Sequence, residues 1–101
     1  MNALGFVEVS GTIAAVEALD AMLKTADVKF LTWEKKLGGR LVTIIVTGSI
    51  SSVQEAVEHG KMRADRITKT VASAVIANPH EEIVKMIQIS ASKLPGAKSG
   101  E

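Results

Sequence analysis

The sequence predicts an α+β domain of the ferredoxin-like, split βαβ kind, with a four-stranded antiparallel sheet. Three observations predict it. Runs rich in β-branched residues alternate with runs whose apolar residues recur every three to four positions, in the order β-α-β-β-α-β, with a short helix after the last strand. The two central strand-like runs are separated by a glycine-centred turn rather than by a helix. The chain has 101 residues, near the commonest size for one domain.

Ala3–Val9 opens the chain as a short strand. Leu4, Phe6 and Glu8 alternate with Ala3, Gly5, Val7 and Val9, so both faces are largely apolar, as in a central strand. Ser10-Gly11-Thr12 supplies cap chemistry for a helix over Thr12–Thr25. In that helix Ile13, Val16, Leu19 and Leu23 give one apolar stripe, and Ala14, Ala15, Ala18, Ala21 and Ala26 supply small residues beside it. Glu17 and Asp20 read as solvated, and Asp20–Lys24 is an i,i+4 acid–base pair. Val28–Trp33 is the second strand. Lys35-Lys36-Leu37-Gly38-Gly39-Arg40 is a cationic turn, and Leu41–Thr47, dense in β-branched residues, is the third strand. Ser52-Val53-Gln54-Glu55 fits a capping box, with Ser51 a second cap candidate, for a helix running to about Ile67. Val71–Ala77 is the fourth strand. Asn78 as N-cap and Pro79 at the first helical position open a last short helix whose apolar edge is Ile83, Val84 and Ile87. The domain is expected over residues 1–90, and 91–101 reads as a disordered tail rich in Ser, Lys and Gly.

Composition narrows the function. Apolar residues make up 47% of the chain and aromatics only 3%, so the core must be aliphatic and alanine-rich. Small side chains bury little area each, which hints at stabilisation by further copies. A formal net charge of +1 argues against a nucleic-acid binder. With no cysteine, disulfides, zinc–thiolate sites and thiol catalysis are excluded. No apolar run reaches the roughly 20 residues of a membrane helix, and the opening Met1-Asn2-Ala3-Leu4-Gly5 does not read as a signal peptide. No membrane partner and no cofactor are expected.

The cationic turn is the one feature suggestive of a function. Ordinary hairpin tips place Asn, Asp or Ser beside Gly, whereas this one carries three positive charges in six residues. A solvated tip is the plainer reading; an anion-facing loop gains weight if symmetry gathers several copies around one axis. His59 and His80 have no metal-ligand spacing, and Ser49, Ser51 and Ser52 are better explained by caps than by a nucleophile, since no Gly-x-Ser-x-Gly elbow is present. Lys61, Arg63, Arg66 and Lys69, interspersed with acids, read as a solvated helix face. Trp33 reads as a packing residue or an interface residue.

Several stretches together resemble the bacterial microcompartment shell proteins of the single-domain, hexamer-forming (BMC domain) kind. Ala3-Leu4-Gly5-Phe6-Val7-Glu8-Val9 is similar to the family's opening strand. Glu17-Ala18-Leu19-Asp20-Ala21-Met22-Leu23-Lys24 is similar to its first helix, and this is the most specific match. Leu37-Gly38-Gly39 before Leu41–Gly48 resembles its pore loop and third strand, and Val75-Ile76 with Pro79-His80 resembles the end of its fourth strand. The resemblance covers about residues 3–87. It implies a structural protein, not an enzyme: a cytoplasmic homo-hexamer that tiles with neighbouring hexamers and other shell proteins into a shell around encapsulated enzymes. By the same resemblance Lys36, Leu37, Gly38, Gly39 and Arg40 would line a central pore for small polar or anionic metabolites. Lys24, Asp27, Asn78, Pro79 and His80 would lie at the hexamer edge. The sequence departs from the family where Arg40 replaces a small residue, where Lys35-Lys36 includes one extra residue before the loop, and where Asn78 replaces an arginine. The alternative from another class is a small oligomeric ferredoxin-like regulator that binds an anionic ligand at a subunit interface. A small enzyme using His80 or Glu8 ranks below both, since no acid–base pair is placed by spacing.

Overall fold

A computed structural model describes residues 2–95. Its elements are β1 (Ala3–Ser10), α1 (Thr12–Thr25), β2 (Val28–Lys36), a one-turn 3₁₀ segment (Leu37–Gly39), β3 (Leu41–Gly48), α2 (Ile50–Ala64), β4 (Ala72–Ala77) and α3 (Glu81–Ser92). The strands form one antiparallel sheet in the order β2-β3-β1-β4, the split βαβ arrangement expected from the element order.

Alternation along β1 and β3 divides the sheet into two faces. Val7, Val9, Val42, Ile44 and Val46 face α1 and α2 and form the main core with Ala14, Ala15, Ala18, Met22, Val53, Ala56 and Val57. Leu4 and Ile45 face the other way and meet Ile87 of α3, with Phe6, Leu31 and Ile83 packed around them. The face left open by the long helices is thus partly covered by α3. A bulge in β2 between Phe30 and Thr32 makes this possible: Phe30 pairs with Val46 and Thr32 with Ile45, so Phe30 and Trp33 pack on the helical side while Leu31 packs on the α3 side. Thr32, fully buried, shares a hydrogen bond of 2.9 Å with Ser90 of α3.

The first helix packs largely the reverse of what its sequence stripe suggests; of that stripe Leu19 alone packs against the core. Ala14, Ala15, Ala18, Ala21 and Met22 are the buried face of α1, whereas Ile13 is 73% exposed, Val16 49% and Leu23 44%. The reason is steric. Only small side chains let α1 lie close to α2, where a Cβ added at Gly60 would stand 2.7 Å from Met22 Cγ and 3.6 Å from the Ala18 carbonyl oxygen. Gly60, unfavourable in an isolated helix, is required by this approach. Glu17 is correspondingly not free: it accepts a hydrogen bond of 3.0 Å from Arg63 across the helix pair. The expected Asp20–Lys24 pair forms at 2.9 Å. Both pairs are substantially exposed and contribute less than about 1 kcal/mol each.

Other boundaries shift for local reasons. Ser49, not Ser51 or Ser52, caps α2, its hydroxyl accepting from the Ser52 amide at 3.2 Å. The helix ends at Ala64 rather than near Ile67 because the Asp65 carboxylate accepts from both the amide and the hydroxyl of Thr70, each at 2.7 Å, and so closes a turn. His80, not Asn78, caps α3, its Nδ1 accepting from the Glu82 amide at 3.1 Å. That helix runs to Ser92, two residues into the stretch read as tail; residues 96–101 lie outside the described residues.

Two predictions follow from the packing. A Cβ at Gly5 would stand 2.7 Å from Val53 Cγ1 and 2.9 Å from Val57 Cγ2, both stiff β-branched side chains. Gly5→Ala should therefore lower stability by about 1–3 kcal/mol in urea unfolding, and adding Val53→Ala should restore part of the loss. The hydrogen bonds from Thr70 hold the Asp65 carboxyl below its ordinary 3.8. A lowered folded-state pKa adds stability that is complete at neutral pH, declines as pH falls below 3.8 and is gone beneath the folded value. Thr70→Val removes the hydroxyl but keeps the amide, and should bring the Asp65 carboxyl, followed by NMR titration, part of the way back toward 3.8 and weaken that acid-side dependence.

Candidate functional site

The cationic turn folds into a hairpin tip smaller than its sequence suggests. Lys35 pairs with Val42 and Lys36 with Leu41, so both lysines belong to β2, and the reversal is made by the four residues Leu37, Gly38, Gly39 and Arg40. The first three have positive φ, at 55°, 68° and 92°. Glycine adopts such values without strain, but leucine is disfavoured there by roughly 1–2 kcal/mol. The Arg40 amide donates to the Leu37 carbonyl at 3.3 Å, and the Arg40 carbonyl accepts from the Gly11 amide at 2.9 Å, which ties the tip to the start of α1.

Extension of the strand also separates the lysines. Lys35 lies over the Trp33 ring, its Nζ 4.8 Å from the centroid, on the helical side. Lys36 lines the groove between α3 and the sheet, beside Glu34. The positive charge of the hairpin is therefore spread over both faces, with Leu37, 69% exposed, between them at the tip.

The second group of residues lies at the other end of the sheet. Ala3 pairs with both Gly48 and Ala77, and Val28 with Gly48, so Asp27, Gly48 and Asn78 cluster at one end. Ser10 pairs with Leu41, and Leu41 with Lys36, at the opposite end. Seven residues of β3 separate the two ends, roughly 24 Å at the rise of an antiparallel strand. Lys24, in the last turn of α1, is exposed and paired with Asp20. A shallow cavity of about 660 Å³ is lined by Asp27, Lys29, Gly48, Ser49 and Gln88, and a neighbouring one of about 250 Å³ by Asn78, Ala77 and Ile50. Asn78 has φ 48°, in the left-handed region that Asn tolerates better than most residues. It turns the chain out of β4 into Pro79 and the His80 cap.

Sequence reasoning missed how α3 is held. Ser90 bonds to Thr32, 58 residues away, and also donates to the Glu34 carboxylate. Neither polar pairing has a local signal. Among the described residues no three His, Asp or Glu side chains form a metal set, and no helix is long and apolar enough to cross a membrane.

Comparison with known proteins places this geometry in context. The BMC domain family model matches residues 3–79. The chain is 41% identical over 86 residues to the bacterial microcompartment shell protein PduA of Citrobacter freundii, covering 85% of this chain and 91% of that protein. It is 40% identical over 90 residues to the shell protein EutM of Salmonella typhimurium, covering 89% and 93%. It is 43% identical over 84 residues to the carboxysome assembly protein CcmO of Synechococcus elongatus, covering 83% of this chain and 30% of that one. A crystal structure of a microcompartment protein from Desulfitobacterium hafniense superposes with a TM-score of 0.76 at 29% identity; the match covers 89% of this chain and spans about half (48%) of that one.

Asn78 supplies the test of the turn at the sheet end. Asn78→Gly should leave the urea midpoint nearly unchanged, whereas Asn78→Val should cost about 1–2 kcal/mol, because a β-branched residue resists positive φ.

Proposed function

The chain belongs to the BMC domain family of bacterial microcompartment shell proteins, and from that premise we propose that it is a non-enzymatic structural tile. Six copies form a closed ring around the Leu37–Gly39 hairpin, and rings meet edge to edge through Lys24, Asp27, Asn78, Pro79 and His80. The tile works in the cytoplasm, with other shell proteins, around encapsulated enzymes, and its central opening passes small polar or anionic metabolites. Residues 1–90 act as one shell domain.

The observation that carries the ring is a pair of unlike, unpartnered apolar surfaces on opposite flanks of the subunit. One is the outer face of α1, with Ile13, Val16 and Leu23 exposed. The other is the free edge of β4, whose sequence Ala-Ser-Ala-Val-Ile-Ala has neither the charge nor the proline that normally protects an edge strand. Val71, just before β4, and Ile67 and Met62 are exposed as well. Beneath the helices, β2 forms one side of the sheet and β4 the other. A head-to-tail contact needs two different complementary patches on opposite sides, and copies so joined close into a ring when the rotation allows. Burial of both patches also supplies area that an alanine-rich core lacks.

The two ends of the sheet suit the two roles. With the hairpin at the axis, the Asp27–Asn78 end points outward, where a neighbouring tile would sit. Rings of Lys36 and Arg40 would concentrate positive potential around the opening and favour anions at its mouths.

Mass in solution tests the ring first. The purified protein should run at about six times its 10.7 kDa chain mass, and Val71→Asp with Ala74→Asp should release a folded monomer, since charges placed on the β4 edge cannot be buried unpaired. A stable dimer or trimer with tight, saturable binding of an anion would replace the tile with the ligand-binding regulator. Lys24→Ala should keep the six-chain mass yet abolish the sheets or tubes seen by negative-stain imaging at low salt. Sheets that persist would remove Lys24 from the edge contact.

A further inference from the structure

Glu8 is a carboxylate set in a largely apolar surface. On the α3 side of the sheet it lies beside Phe6, Thr43, Ala72 and Ala74, which line with it a shallow cavity of about 160 Å³ reaching β4, the edge strand. The side chain is half-buried, and among the described residues the Thr43 hydroxyl is its one hydrogen-bond donor, at 3.2 Å. A carboxylate accepts several hydrogen bonds, and burying it with one weak partner costs free energy. Glu34, which flanks Thr43 from the other side, is held by Ser90 of α3. Glu8 has no such support: the ion pairs among the described residues are Asp20–Lys24, Glu17–Arg63 and Glu82–Lys85. Lys36 is in none of them either. It is exposed, lies on the same α3 side at the end of β2, and pairs with Leu41, which in turn pairs with Ser10. With β3 between them, Glu8 and Lys36 of one chain stand two strand spacings apart, roughly 10 Å, with a further two-residue offset.

We propose that Glu8 of each copy binds Lys36 of the next, an ion pair that fixes the register of neighbouring subunits. The inference rests on the ring proposed above. Rotation about one axis gives every copy the same α3 side and turns every hairpin end inward. β2 and β4 are the two edges of the sheet, so the β2 flank of one copy meets the β4 flank of the next. At that meeting Lys36 stands at the hairpin end of β2, on the α3 side. Glu8 stands near the same end of β1 and on the same side. Only Ala72 and Ala74 lie between it and the open edge, and their side chains are single methyl groups. A lysine is long enough to lay its apolar stem over them and set its ammonium at the carboxylate. A head-to-tail contact joins unlike flanks, and these two flanks carry unlike charges. Lys36 then serves the interface, and the positive potential at the opening falls chiefly to Arg40.

Charge reversal, read by mass in solution, tests the pair. Glu8→Lys and Lys36→Glu each set like charges against each other across the contact. Each should raise the concentration at which half of the chains are in rings by about tenfold. Mixing the two variants should restore the six-chain mass, because each then meets the charge that its own copies lack. Native mass spectrometry, with one variant isotopically labelled, should find the two in equal numbers in every restored ring. A pair made within one chain cannot give this rescue, since mixing leaves each chain as it was. Single variants that assemble as the unmodified protein does, or a mixture that fails to recover, would overturn the pair and leave the ring standing. An unmodified protein that never reaches the six-chain mass would overturn the ring itself. If circular dichroism shows that Glu8→Lys does not fold, Glu8→Gln and Lys36→Gln decide. The double variant should then lose no more ring stability than either single one, whereas additive losses would overturn the pair.

Discussion

The close approach of α1 to α2 sets the rest of this subunit. Ala14, Ala15 and Ala18 present a nearly flat face, and Gly60 of α2 leaves room for Met22 and the Ala18 carbonyl against it. Gly5, between Val53 and Val57, extends the same close packing to the sheet beneath. Because small residues occupy the core side of α1, its large aliphatic residues are left outside. The outer face of α1 and the bare edge of β4 are thus two consequences of one economy of volume. They also leave much of the chain's apolar area, Ile13, Val16 and Leu23 among it, on the surface of the subunit.

The antiparallel sheet then separates two kinds of chemistry along its length. At one end, a four-residue turn with three left-handed residues reverses the chain and leaves Leu37 and Arg40 exposed at its tip. At the other, Gly48 lets the chain pass 2.9 Å (from a Cβ it lacks) beside the Asp27 carbonyl, and Asn78 bends β4 into α3. Both ends use positive φ or a missing side chain to turn sharply, yet the residues they present differ in kind. One end is cationic and apolar, and the other is mixed polar, with Asp27, Lys29, Gln88 and Asn78 around its cavities. The strands between are stiff, so the two ends are held at a fixed separation.

Much of the fold was legible in the chain. The β-branched run Leu41–Thr47, the alternation of Ala3–Val9 and the helical spacing of Val53, Ala56, Val57, Gly60 and Ala64 each name their element, and the element order names the sheet. The cationic turn and the residues at the opposite end were also visible as candidates, the turn from its composition and the far end from resemblance. Less legible was the packed face of α1. Hydrophobicity ranks Ile13, Val16 and Leu23 above alanine, and periodicity cannot say which of two adjacent stripes will meet a partner inside the chain. Caps were misplaced by two or three residues for a related reason. Ser49, Ser51 and Ser52 are equally competent, and the choice depends on where β3 delivers the chain.

Local pattern by itself determined the kinds and order of the elements, the glycine-centred reversal and the absence of cysteine chemistry, because these depend on backbone preference and residue type within a few positions. Tertiary structure alone decided three things. It put the alanine face of α1 inward, since only packing distance distinguishes the stripes. It moved Lys35 and Lys36 into β2 and onto opposite faces, since pairing with Val42 and Leu41 continues the ladder past the charges. And it joined Thr32 and Glu34 to Ser90, which pins α3 across the second face of the sheet, because contacts between residues nearly sixty positions apart exist only once the chain is folded.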